Sequence, residues 1–163
     1  MAVLPIRLLN DPVLRQKTKR VKTIDSSIQK LIDDMLETNR AASGAGLAAP
    51  QVGVSLRIAV IQLSEDEKYV LINPKVMRRT GIRTVTEGCL SIPGYVGDIQ
   101  RSEKVSVRAT DRNGKEYRIK SDGLLAEALE HEIDHLNGVL YIDYLDSLDE
   151  LRKVEPPQPA ELL

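Results

Sequence analysis

Several things are scarce in this chain, and each scarcity excludes something. A single cysteine, Cys89, rules out an intrachain disulfide framework and suits a reducing compartment. No long basic run occurs, and acids and bases nearly cancel to a formal net charge of −1, which argues against direct nucleic-acid binding. No apolar run is long enough to span a bilayer, and residues 1–10 lack the apolar core and cleavage site of a signal peptide. The expectation is a cytoplasmic protein with no membrane contact. With 163 residues, the chain is long enough for one domain that buries roughly 68 to 70% of its unfolded surface. Folding therefore does not require a metal.

Histidine is almost as scarce, and both copies fall in one string, His131-Glu132-Ile133-Asp134-His135. On an α-helix this spacing stacks the two imidazoles on one face, with Glu132 one step round. Two neutral imidazoles so placed can chelate a divalent ion, and the carboxylate can act as general base on a water held there. A chance string on a solvated helix would have polar neighbours. Instead Ala128 and Leu124 precede the histidines on their face, and Leu136 and Leu140 follow on adjoining rows. Buried imidazoles and a buried carboxylate carry a large desolvation penalty unless something satisfies them, and a metal would do so.

The rest of the chain supplies a frame. Residues 4–20 read as an extended arm broken by Pro5 and Pro12, with a basic surface cluster at Lys17, Lys19, Arg20 and Lys22. Ser26 and Gln29 have capping-box spacing, and Ile28, Leu31, Ile32, Met35 and Ala42 recur at helical period up to Ser43 and Gly44. A run of small residues around one amide follows, Gly44-Ala45-Gly46-Leu47-Ala48-Ala49-Pro50-Gln51. It suits either close backbone approach to a ligand or a tight helix-to-strand connection. Residues 56–63 and 68–72 read as a hairpin. Val105, Val107 and Ala109 alternate with polar residues up to a type I′ turn at Asn113-Gly114, and Tyr117 and Ile119 resume the pattern. The metal-site helix starts after Gly123 and stops at Asn137-Gly138, and residues 139–145 read as extended. The fold class expected is α+β: antiparallel β-sheets packed around a central metal-site helix, with an additional N-terminal helix. Residues 1–145 form one catalytic domain and 146–163 an acidic tail rich in proline.

A catalytic metal usually has three protein ligands, and two histidines leave one position open. Cys89 lies in a glycine-flanked segment, Glu87-Gly88-Cys89-Leu90-Ser91. Its thiolate could complete a Cys-His-His set, although a lone cysteine also serves as a small buried hydrophobe. Taken together, the 44–51 run, the 87–91 segment and His131-Glu132-Ile133-Asp134-His135-Leu136-Asn137-Gly138 resemble the three motifs of the peptide deformylases, in the family's order. Asp11-Pro12-Val13-Leu14-Arg15 resembles the family's N-terminal arm.

That resemblance implies removal of the formyl group from the N-terminal formyl-methionine of newly made polypeptides, with release of formate. It places metal ligation on Cys89, His131 and His135, and acid/base work on Glu132. Oxyanion contacts fall on the Gln51 amide and the Leu90 N–H. It also implies substrate walls at Gly44, Ala45, Gly46, Leu124 and Ala128, with backbone pairing to the peptide near Ala45 and Gly88. The cofactor it implies is one divalent metal, usually Fe2+, with Zn2+, Ni2+ or Co2+ as alternatives. Glu87 and Arg101 resemble a family ion pair behind the cysteine loop, whereas Glu130 stands where the family often has glutamine. Transient ribosome association is consistent with the nascent-chain substrate, but the acidic tail does not resemble the long basic C-terminal helix that some members use for it. Two rivals remain at this stage. A zinc peptidase using the same helix would give Cys89 no necessary role, and an inactive formyl-peptide binder would not need Glu132.

Overall fold

The computed structural model describes residues 1–154. The N-terminal arm makes one 3-10 turn at Pro12–Arg15, capped by the Asp11 carboxylate, which accepts from the Val13 N–H. Helix α1 spans Ser26–Ala41, and its cap is Asp25 rather than Ser26: the Asp25 carboxylate accepts from the Ile28 N–H at 3.1 Å. Gln29, the other half of the expected capping box, instead donates to the Arg112 carbonyl at 2.6 Å. The helical period holds as expected, and Ile28, Ile32 and Met35 are buried against Leu47, Val60 and Ile72.

The strands are β1 (Gly46–Ala48), β2 (Ile58–Gln62), β3 (Lys68–Thr80), β4 (Arg83–Cys89), β5 (Ile92–Arg101), β6 (Lys104–Thr110), β7 (Glu116–Asp122) and β8 (Arg152–Lys153). All pairings between them are antiparallel, in a five-stranded sheet ordered β1-β2-β3-β6-β7 and a three-stranded sheet ordered β4-β5-β8. Helix α2 (Gly123–Leu136) lies against the larger sheet. Its Ala126, Ala128, Leu129, Ile133 and Leu136 are buried with Ile61, Val105, Val107, Ala109 and Ile119. Fully burying a Val, Leu or Ile side chain, as at Leu129, Leu136 and Val107, stabilises by about 1.5–3 kcal/mol each, which fixes the helix on the sheet. The architecture is α+β, as the sequence indicated.

Four local readings change. The β6–β7 turn is not type I′, because Asn113 is not left-handed and only Gly114 is, at φ 85°. The Asp111 carboxylate accepts from the N–H groups of Asn113 and Lys115, both at 2.9 Å, and so holds a type I turn followed by one left-handed glycine. The segment around Cys89 is the tip of the β4–β5 hairpin: Cys89 pairs with Ile92, with only Leu90 and Ser91 between them. Residues 139–145 contain a 3-10 helix, Tyr141–Tyr144, instead of a strand. Residues 146–154, set apart above as the start of a tail, add a 3-10 turn at Leu148–Glu150 and pair as β8 with β5 through Tyr95 and Val96. Pro156, Pro157 and Pro159 lie outside the described residues.

Candidate metal centre

Helix α2 carries its histidines on the face turned into the molecule, and the β4–β5 hairpin lowers its tip onto that face. Cys89 Sγ comes within 3.4 Å of His135 Nε2, which in turn is 3.1 Å from His131 Nε2. The three ligand atoms lie within 4.8 Å of one another, and all three residues are buried. Two imidazole nitrogens and a sulfur converging from two separate elements form a donor set for one divalent ion.

The surroundings fit that reading. His131 Nδ1 hydrogen-bonds Glu87, which fixes the ring and leaves Nε2 facing the cluster, as metal-bound imidazoles are usually held. Arg101 binds Glu87 through two contacts, at 2.6 and 3.0 Å, and reaches Asp134 on α2 at 2.7 Å. One guanidinium thus ties β4, β5 and α2 behind the site. Burial disfavours the Glu87 charge, but His131 and Arg101 outweigh it and take its pKa down to about 2. The two imidazoles shift in opposite directions. Burial opposes protonation of both, yet Glu87 and Glu132 raise His131 while the His131 charge lowers His135 further. At 3.1 Å the rings do not both carry a proton charge.

Glu132 is fully buried, and neither carboxylate oxygen has a hydrogen-bond partner among the described residues. An unsatisfied buried carboxylate is costly. Burial pushes its pKa up to about 7, with the nearby His131 charge opposing and the Glu87 charge adding. The group is therefore poised to exchange a proton near neutral pH. Gly46 of β1 faces it so closely that a Cβ there would stand 2.6 Å from Oε2. The Gln51 amide is oriented at both ends: its Oε1 accepts from the Ala48 N–H at 2.9 Å, and its Nε2 donates to Ser91 Oγ at 3.1 Å and lies 3.5 Å from Cys89 Sγ. Leu90 forms the hairpin tip beside Cys89.

The expected substrate walls separate into two groups. Gly44, Ala45 and Leu124 line an open cleft of about 400 Å³ together with Arg40, Gln62 and Leu63. Leu124, in the first turn of α2, is 42% exposed, so the inward face begins one turn later than the sequence suggested. Gly46, Gly88 and Ala128 are buried; Ala128 packs in the same core cluster as Ala45. The Glu87–Arg101 pair is present. Glu130 does not face solvent: it accepts from the Ser102 N–H at 2.7 Å, from Ser102 Oγ at 3.0 Å and from Arg79 Nε at 2.9 Å, anchoring α2 to the β5–β6 turn. Sequence reasoning missed the Glu87 grip on His131, the Arg101–Asp134 contact and the role of Ser91 in holding Gln51. Each joins residues far apart in the chain, so no local spacing announces it.

With this geometry in hand, relatives become informative. The family model described as polypeptide deformylase matches residues 3–151. A peptide deformylase from Dehalococcoides mccartyi is 55% identical over 157 residues, covering 96% of this chain and 94% of that protein. The crystal structure of a peptide deformylase from Legionella pneumophila superposes with a TM-score of 0.89 at 48% identity, over 91% of this chain and 89% of that one. One from Ehrlichia chaffeensis, in complex with actinonin, gives 0.89 at 42% identity over 92% of each chain. Among the described residues, no helix is long and apolar enough to cross a membrane.

Proposed function

The chain belongs to the polypeptide deformylase family, and from that premise we infer that it removes the formyl group from the N-terminal formyl-methionine of newly made polypeptides, releasing formate. The observation that carries the reading is the convergence of Cys89, His131 and His135 beside a buried carboxylate, Glu132, that has no hydrogen-bond partner among the described residues. Its place of action would be the cytoplasm, where such chains are made.

Cys89 Sγ, His131 Nε2 and His135 Nε2 would hold one divalent cation. A bound cation there supplies Lewis-acid polarisation of the formyl oxygen and a lowered pKa for water. Thiolate and imidazole donors suit Fe2+ or Zn2+, and Fe2+ is our assignment on the family's usage, with Ni2+ and Co2+ able to occupy the same donors. Glu132 takes a proton from the attacking water and returns it to the leaving amine nitrogen, so the amide C–N bond breaks and formate and a free amine result. The Gln51 Nε2–H and the Leu90 N–H donate to the developing oxyanion. Glu87 keeps the His131 ring in one tautomer and orientation throughout. The cleft bounded by Gly44, Ala45 and Leu124 receives the methionine side chain, with Gly46, Gly88 and Ala128 shaping the backbone channel and floor behind it.

The zinc-peptidase reading gives Cys89 no necessary role, whereas here its sulfur sits 3.4 Å from a histidine nitrogen. The test is an anaerobic formate assay on a formyl-Met tripeptide, with wild type and Glu132→Gln side by side and metal content measured in both. We expect formate from wild type only, at equal metal content. Formate production surviving in Glu132→Gln would remove the acid/base assignment.

A further inference from the structure

Where the larger sheet is built from the second half of β3 with β6 and β7, the face that points away from α2 is cationic; on β1, β2 and the start of β3 that face is apolar and covered by α1. Register sets Lys75, Arg108 and Arg118 side by side across β3, β6 and β7. The next row is Arg78, Ser106 and Lys120, and the one after is Thr80, Lys104 and Asp122. The alternating partners Val105, Val107, Ala109 and Ile119 are buried against α2, so these rows take the outer face. A bulge between Val76 and Arg78 keeps Arg78 outside while Arg79 turns inward to Glu130. Like charges directly opposite on neighbouring strands repel. Yet of these cations only Arg108 has a carboxylate within ion-pair distance among the described residues, Glu116 at 3.3 Å.

The rows run into a cavity of about 220 Å³ where Arg20, Arg57, Lys75 and Arg108 meet, with Glu116 the one acid in its lining. Arg20 comes from the basic cluster of the N-terminal arm, which the metal site leaves unused. The arm is held there by a bridge from Lys19 to Leu56, with the Arg57 N–H donating to the Lys19 carbonyl at 2.9 Å. Arg57 is itself fixed, its guanidinium donating to the Leu136 carbonyl at 3.1 Å and to Asn137 Oδ1 at 3.0 Å. Burial and the neighbouring Arg20 charge lower its pKa.

We propose that this face binds the phosphate backbone of a structured RNA, with one phosphate seated in the Arg20–Arg57–Lys75–Arg108 cavity and the cation rows following the strand beyond it. Met77 is exposed at the bulge, and Leu63, Leu124 and Leu125 line a cavity beside the second and third rows. The rows themselves are six cations, two hydroxyls and Asp122, far more charged than the core of a protein interface. They carry the Ser106 and Thr80 hydroxyls, which with Lys and Arg are the usual phosphate contacts. Successive rows stand about 6.8 Å apart, two residues along a strand, so the cations form a continuous strip. The net charge of −1 conceals this face because it sums the whole chain, whereas the three rows hold six cations against the single acid Asp122. Glu132 and its histidines sit on a helix packed against the opposite side of the sheet, so bound RNA would leave the metal site uncovered.

The test is fluorescence anisotropy of a short RNA duplex with the full chain. For four phosphate contacts, affinity should fall about a hundredfold between about 50 mM and about 200 mM salt. Lys75→Glu and Arg118→Glu should each weaken binding and reduce the salt slope by about one, while Lys153→Glu, with the same change in net charge, should leave the slope alone. The double variant Lys75→Glu/Arg118→Glu puts a carboxylate on either side of Arg108, so it should melt at or above the wild-type temperature while losing RNA. No RNA binding at about 100 mM salt, equal losses in Lys153→Glu, or full RNA affinity in the folded double variant would each overturn the proposal. So would tighter binding to polyglutamate or to phosphatidylserine vesicles than to the duplex.

Discussion

Glu132 shows how closely single residues set the chemistry of this site. Its carboxylate has no hydrogen-bond partner among the described residues, and the missing side chain of Gly46 leaves the space that it occupies. Gly46→Ala would push a methyl group to within 2.6 Å of Oε2 and 3.0 Å of Cδ, so the carboxylate must rotate away from the reacting atoms. Small misplacements of a reacting group are expensive, and we expect turnover to fall by at least about tenfold, with metal content unchanged. Unaltered turnover in Gly46→Ala would mean that the carboxylate has room to spare. Gln51→Ala removes one oxyanion donor, a loss of about 3 kcal/mol in barrier, and should lower turnover on the order of a hundredfold. Near-normal rates would take Gln51 out of the site. The three metal-ligand candidates were legible in the sequence because cysteine and histidine are so scarce that few combinations exist. Glu87 was legible only as a partner of Arg101, since nothing in local spacing links it to His131 across 44 positions.

Among the elements, those with regular apolar periods were the readable ones. α2 and the β6–β7 hairpin expose their inward residues as clean patterns of Ala, Leu, Val and Ile. The β4–β5 hairpin hid itself because two of its inward positions are the charged pair Glu87 and Arg101, both buried, which break the alternation that marks a strand. That same pair now controls how the hairpin meets the helix. Arg101→Met would leave Glu87 and Asp134 without their shared cation, and with one partner removed a buried ion pair typically costs about 3–5 kcal/mol. For a chain of this size that corresponds to a fall in Tm on the order of 10 °C, readable by calorimetry. The two-state analysis should be run on the chelated protein, so that metal loss does not contribute. A change within about 1 °C would show that the hairpin is held by its apolar contacts alone: Val85, Ile92 and Ile99 against Leu140 and Tyr141.

For the whole molecule, the question is whether the ion builds the fold or only uses it. Three apolar clusters, one beneath α2, one beneath α1 and one beneath the cysteine hairpin, close without any contribution from the ligand atoms except Cys89. The Glu87–Arg101–Asp134 contacts orient His131 and fix α2 by themselves. We therefore expect the ligand cluster to be assembled before the cation arrives, so that binding need not supply the folding energy that it supplies in small metal-dependent domains. Stripping the metal with a strong chelator should abolish formate release while far-UV circular dichroism and cooperative unfolding persist. The melting temperature should fall by an amount set by mass action, about 4 kcal/mol of lost stabilisation at a metal concentration a thousand times the Kd. Returning the cation should restore activity without a refolding phase, because the apolar clusters should keep β1, the hairpin tip and α2 together. If the chelated protein instead gave a coil spectrum, or regained activity only after denaturation and refolding, the site would be a product of metal binding and the preassembled cluster described here would be wrong.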